Sequence, residues 1–374
     1  MGPTATVLAM IELDSLEGFD EHVATHGHLN DVVLQGLDLC RRTEALLSID
    51  VHGVVLLGCV VESEALRRLH DTGALVFPPF RDLPFQAFRN GLYTADELYA
   101  EYVAGGLEAA LDTRIYRWFE AAKAGASVVD ELAQRIHDHA IDDALAEVLA
   151  DGNRGQGVIA IMGGHGMTRT EPEYAAVARL ARALTRRGCF CASGGGPGAM
   201  EATNLGAWMA PHEDAALDQA LSVLAGAATF QPIPRWLDAA WEVRRRWPLP
   251  ASGGESLGVP TWHYGHEPPN VFATHIAKYF ANSIREDGLL AIALAGVVFA
   301  PGSAGTIQEV FQDAAQNHYR SFGTVSPMVF FGSEYWTVTK PVYPLLRQLA
   351  AGHDYADHLS IHDDIDAIVD QLTP

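Results

Sequence analysis

Three short apolar runs, each ending in a glycine-rich loop that opens into a helical pattern, constrain the fold of this 374-residue chain most strongly. The first is Val158-Ile159-Ala160-Ile161-Met162 ahead of Gly163-Gly164-His165-Gly166. The second is Cys189-Phe190-Cys191-Ala192 ahead of Ser193-Gly194-Gly195-Gly196-Pro197-Gly198-Ala199-Met200, and the third is Gly296-Val297-Val298-Phe299-Ala300 ahead of Pro301-Gly302-Ser303-Ala304-Gly305-Thr306. Continuous rather than alternating apolar runs belong to strands buried on both faces, and helical crossovers between them require parallel pairing. The expected fold is α/β: a Rossmann-like parallel sheet with helices on both faces, plus an N-terminal mixed α/β region. A fourth run, Met328-Val329-Phe330-Phe331, belongs to the same sheet, and a helix from about Glu171 to Arg187 lies between the first two runs.

The polar, glycine-rich stretch Asp151 to Gly157 reads as a seam. It divides the chain into an N-terminal accessory region, 1–150, and a Rossmann-like ligand-binding domain, 151–374. The first region contains the strand-like runs Val54 to Val61 and Ala74 to Phe77, and no internal repeat stands out in it. Within the second, Pro211 to Pro260 breaks the rhythm with several prolines and with Trp236, Trp241 and Trp247, which reads as an irregular insertion or lid.

Charge narrows the partners. With 25 Lys+Arg against 47 Asp+Glu the net charge is −22, so the surface repels phosphate backbones and anionic membranes. Neither a nucleic-acid polymer nor a membrane is an expected partner. No apolar run approaches the length of a spanning helix, and residues 1–6 carry no leader pattern, which places the expected location in the cytoplasm. Met1-Gly2 with Thr6 fits the bare myristoylation pattern, but the acidic chain offers no polybasic second anchor. Cys40, Cys59, Cys189 and Cys191 form no CxxC pair and read as reduced, largely buried thiols. No metal and no cofactor is expected. His263, His266 and Glu267 crowd one loop without a third well-spaced ligand.

Each glycine loop aims free backbone N–H groups and a positive helix end at an anion, and the absence of Cβ atoms lets the backbone approach it closely. There is no GxxxxGK[ST], and the third position of a GxGxxG pattern in the first loop falls on Arg169. Both a triphosphate site and a dinucleotide site are therefore demoted, leaving a ligand with a single phosphate.

The second and third loops, with Ile307-Gln308-Glu309 continuing the third, resemble the paired GGG-x-x-G-x-M and PGG-x-GT-x-x-E signatures of the LOG-type phosphoribohydrolases. Gly163-Gly164-His165 with Glu173-Tyr174, and Glu267-Pro268-Pro269-Asn270, resemble the larger branch of that family, the nucleotide 5′-monophosphate nucleosidases. The resemblance spans about Val158 to Phe331 and implies that 151–374 is a nucleotide-binding catalytic domain. It implies hydrolysis of the N-glycosidic bond of a nucleoside 5′-monophosphate to free base and ribose 5-phosphate, in a homo-oligomer. It makes Glu309 and Arg285 the catalytic pair. Phosphate and nucleotide contacts fall on Gly163, Gly164, His165, Ser193, Gly194, Gly195, Gly196, Gly198, Met200, Gly302, Ser303, Gly305 and Thr306. Departures are Ser303 in place of glycine, Gln308 in place of an acid, and the spacing around Arg285. Ser303 and Gln308 are the best support for the alternative, a non-catalytic nucleotide sensor on the same fold.

Plainer readings stand beside these. Thr306-x-x-Glu309 and Thr170-x-x-Glu173 both fit a capping box, in which the glutamate serves only the helix end. Arg285 could pair locally with Glu286 or Asp287 on a solvated face. Arg244-Arg245-Arg246 reads best as a solvated helix face, Met200 equally as core or as a contact for a base, and His165 equally as satisfied by a backbone carbonyl.

Overall fold

The computed structural model describes residues 10–150, 157–264 and 267–373. The seam lies outside the described residues, apart from Gly157, as do residues 1–9 and His266. The chain forms two compact units, one of Met1–Gly91 with Ala122–Ala144, the other of Leu92–Ala121 with Leu145–Pro374. This partition differs from a cut at residue 150, because Leu92–Ala121 clusters with the later residues.

The first unit holds a parallel sheet of β1 (Ile11–Leu13), β2 (Val32–Gln35), β3 (Val55–Leu57) and β4 (Leu75–Phe77), in the order β1-β2-β3-β4. Helices Leu16–His26, Thr43–Ser48 and Ser63–Asp71 connect the strands in turn. Strict sequential order is the arrangement of a stacked repeat, in which each turn buries its apolar face only against its neighbours. Asn30 Oδ1 accepts from the His52 N–H 22 residues on, and His28 bridges Asp50 while Asp38 bridges Val60 in the same register. Leu29, Val32 and Leu34 recur as Val51, Val54 and Leu56, all fully buried. The expectation of no internal repeat is thus corrected: the repeat lies in the apolar positions and in the turn before each strand, where Asp31, Gly53 and Gly73 all have positive φ.

The second unit is built on a seven-stranded, all-parallel sheet in the order β11-β10-β9-β5-β6-β7-β8. The strands are β5 (Val158–Met162), β6 (Phe190–Ser193), β7 (Ser256–Gly258), β8 (His275–Ile276), β9 (Gly296–Phe299), β10 (Met328–Phe331) and β11 (Leu359–His362). β5 lies at the centre, with Ile159 and Ile161 fully buried, each contributing about 1.5–3 kcal/mol. The chain runs from β5 to β6 on one side and returns to β9 on the other. The crevice at such a reversal, outside the carboxyl ends of the strands, is where open α/β sheets bind ligands. The mixed α/β fold with parallel sheets matches the sequence expectation.

The stretch from Pro211 to Pro260 is not irregular, as expected, but contributes helices Asp214–Ala225 and Ile233–Arg246 and the strand β7. Its arginines do not act as one face. Arg245 and Arg246 pair with Glu242 at the surface, whereas the Arg244 guanidinium packs over Trp208 and Trp241 and pairs with Asp96. Segment Leu92–Ala121 docks onto the sheet through a buried pair, Asp112 Oδ1 accepting from Lys278 Nζ at 2.6 Å and from Trp262 Nε1 at 3.0 Å. Burial also keeps the Cys189 and Cys191 thiols protonated, pushing them up to about 11 and about 12. No helix among the described residues is long and apolar enough to cross a membrane.

Candidate functional site: a crevice between three glycine loops

The loops that follow β5, β6 and β9 converge on a crevice of about 480 Å³. The structure brings Gly163, Gly164, His165, Gly194, Gly196, Met200, Ser303, Gly305, Thr306, Arg285 and Glu309 to its wall. Sequence reasoning assigned no contact to Pro260, Thr261, Tyr264, Glu286 or Gln308, which line it too. Tyr264 and Glu267 come from the loop after β7.

Four of the expected ligand contacts, Ser193, Gly195, Gly198 and Gly302, do not line this crevice. Ser193 is fully buried; its hydroxyl accepts from the Gly195 N–H at 3.1 Å and lies 2.9 Å from Asn204 Oδ1. Gly195 and Gly198 take positive φ, +73° and +72°, and a Cβ on Gly198 would run into the Gly164 carbonyl oxygen. These glycines let the second loop lie against the first and against β7, which is a packing requirement as much as a ligand one. Gly302 is buried on the far side of its loop, where it lines a neighbouring cavity of about 570 Å³. Asn270 holds the second loop from below: its Nδ2 donates to Asn204 Oδ1 at 2.8 Å and to the Gly196 carbonyl at 3.3 Å.

The third loop opens the helix Ala304–Tyr319, whose N-cap is Ser303, without a side-chain cap. Both capping-box readings are thereby corrected. Thr306 sits inside this helix, so Glu309 caps nothing. Helix Pro172–Arg186 starts after Glu171, whose own carboxylate turns back to accept from the Thr168 N–H at 3.0 Å. The first turn of the 304–319 helix leaves N–H groups without intrahelical acceptors, and Ser303, Ala304 and Gly305 are exposed at the crevice. A helix start left open in this way is suited to an anion.

Arg285, on the helix Asn282–Ile292, is not on a solvated face: its side chain is 12% exposed and that of Glu309 14%. Arg285 Nη1 lies 3.7 Å from Glu309 Oε1, while Nη2 lies 3.5 Å from Glu286 Oε1 and 3.4 Å from Asn282 Oδ1. Gln308 Nε2 donates to Glu286 Oε2 at 2.8 Å, tying the two helices together where an acid at 308 would repel Glu286. Burial pushes the Glu309 carboxyl up to about 7, with Arg285 opposing the rise and Glu286 adding to it. A carboxyl poised there can give or take a proton at neutral pH. His165 is exposed, its Nδ1 3.8 Å from Glu267 Oε1. Among the described residues, no cluster of metal-ligating side chains includes His263 or Glu267.

Beneath the second loop lies a closed network. Arg169 donates to both Glu201 oxygens, at 2.9 Å from Nε and 2.5 Å from Nη2, and Tyr174 and Trp236 donate to Oε2. All four residues are buried. Arg169, which breaks the dinucleotide pattern, thus supports the loop rather than a ligand.

No family model and no curated protein matches the chain. Similar solved structures include a molybdenum cofactor carrier protein from Chlamydomonas reinhardtii, at 17% identity and TM-score 0.36, covering 58% of this chain and 97% of the other. Another is the molybdenum cofactor binding protein of Rippkaea orientalis, at 12% identity and TM-score 0.36, covering 58% of this chain and 94% of the other. The resemblance to LOG-type phosphoribohydrolases is corrected accordingly: no family model or curated relative supports it, and these similar structures are described as molybdenum cofactor proteins. Nucleoside monophosphate hydrolysis and the nucleotide sensor fall with it, as do the hydrolase and nucleosidase assignments. At this identity and TM-score the likenesses themselves lend the site no function.

Proposed function

We propose that the second unit binds a phosphate-bearing small molecule in the crevice between the three glycine loops. The observation that carries this reading is the exposed first turn of the 304–319 helix, where Ser303, Ala304 and Gly305 present backbone at the wall. A helix start of this kind holds an anion without a positive surface, which suits a chain of net charge −22. Glu267, Glu286 and Glu309 share the crevice, so the body of the ligand must offer hydroxyl or amine donors to them. Met200 and Pro260 supply apolar surface beside those carboxylates. Glu309 is the group placed to exchange a proton with the bound molecule.

Calorimetric titration tests the reading with ribose 5-phosphate and inorganic phosphate, and with ribose as the unphosphorylated control. The molybdenum cofactor, for which the similar structures are named, enters only as a further probe. Saturable binding of ribose 5-phosphate but not ribose is the expected result. Equal binding of the two sugars, or of neither, counts against a phosphate seat. A homo-oligomer in the cytoplasm is carried as part of the same proposal, and sedimentation as a monomer would remove the first half of it.

A further inference from the structure

The Gly302 carbonyl, at the turn into the anion seat, receives two donors from behind. Lys340 Nζ donates to it at 3.0 Å, and the Tyr335 hydroxyl donates to the same oxygen. Both donors come from one wide turn, Tyr335–Thr339, and the residue that ends it. That turn is closed by the Lys340 N–H to the Tyr335 carbonyl at 2.7 Å, and the Lys340 ammonium lies 5.7 Å from the Tyr335 ring centre. Gly302, Tyr335 and Lys340 line the 570 Å³ cavity, whereas Ala304, Gly305 and Thr306 line the crevice; Ser303 lines both.

A trans peptide points its carbonyl and the following N–H in opposite directions. A carbonyl drawn toward Lys340 and Tyr335 on one side therefore turns the Ser303 N–H toward the other, where the anion seat lies. Glycine is required at 302, because a Cβ there would strike the Thr306 side chain. A charged donor on a carbonyl is also stronger than a neutral one and polarises the peptide, making the Ser303 N–H a better donor.

We infer that Lys340 and Tyr335 are positioning residues of the anion seat: by holding the Gly302 carbonyl from the far side of the loop they orient the Ser303 N–H toward bound phosphate. The inference rests on the reading of the crevice as a phosphate site, and it names two residues that touch no ligand there. Lysine is needed for its charge and reach, tyrosine for its single hydroxyl.

The test combines affinity with a signature at the peptide itself. Labelling glycine carbonyls with ¹³C and serine nitrogens with ¹⁵N marks only two peptides in this sequence, Gly302–Ser303 and Gly332–Ser333. In ligand-free Lys340→Met the Gly302 carbonyl resonance moves upfield as its charged donor is lost, and Tyr335→Phe moves it by less. Lys340→Arg restores most of the shift. Affinity for inorganic phosphate and ribose 5-phosphate falls about fivefold or more in Lys340→Met and is regained in Lys340→Arg. A Gly302 resonance unmoved in both variants, or an affinity in Lys340→Met equal to wild type, overturns the inference. Should the wild type bind neither probe, the crevice reading fails, while the carbonyl resonance still decides whether the clamp exists.

Discussion

Arg285 and Glu309 meet across two helices with 3.7 Å between Nη1 and Oε1, each side chain less than 15% exposed. The separation is that of an ion pair without a tight hydrogen bond. Glu309 is therefore shielded from water but only partly compensated, which is why its carboxyl sits near 7 instead of near 4.5.

Replacing Arg285 by methionine removes the cation that opposes the burial effect. The Glu309 carboxyl then titrates higher still, above about 7. Carboxyl infrared or ¹³C titration of Arg285→Met against wild type reads the change, and an unchanged or lowered value contradicts the account.

The same carboxyl sets a pH dependence of binding. Below about 7 Glu309 is neutral; above it a further negative charge faces an anionic ligand, so affinity falls as pH rises through that value. Glu309→Gln flattens that part of the profile. The phosphate's own second ionisation, near pH 6, remains in both proteins and is removed by comparing them.

Asp313, on the same helix, is 1% exposed, with Oδ2 unpartnered and only a long contact of 3.5 Å from Asn317 at Oδ1. Burial pushes it up from 3.8 to about 8. The raised value means its contribution is full below pH 3.8 and is lost as pH rises toward 8. Asp313→Asn therefore gains on the order of 5 kcal/mol over wild type at pH 8 and little at pH 4. Urea unfolding at the two pH values measures it; a gain of the same size at both excludes ionisation as the cause.

How much of this was legible in the sequence follows from the kind of force involved. Continuous apolar runs fixed β5 and β10 to the residue, because burial on both faces leaves no other reading of Val158–Met162 or Met328–Phe331. The 22-residue repeat escaped because its signal is spread over single apolar positions such as Leu34 and Leu56, with unlike residues between them. Ser193 and Gly198 were assigned to a ligand because a loop that packs on another loop uses the same residue types as one that packs on phosphate. Lys340 had no signal at all: it reaches Gly302 from 38 residues away, through a turn that no local pattern foretells.

Glu201 is the support of the second loop, fully buried with donors from three side chains. Glu201→Gln leaves the Arg169 charge buried without a counter-ion and destabilises the protein by about 3–5 kcal/mol. Thermal unfolding should show a large drop in midpoint; a change within a degree or two means the pair is not closed as described.

The central claim, that the 304–319 helix start is an anion seat, is tested most directly by Ala304→Asp. Ala304 is exposed at the crevice in the first turn, so a carboxylate there occupies the seat itself while favouring the helix end. Calorimetric titration with ribose 5-phosphate should show saturable binding by the wild type and a loss of about tenfold or more in Ala304→Asp, with the unfolding midpoint held or raised. Equal affinity in the two proteins, or none in the wild type, would contradict the claim.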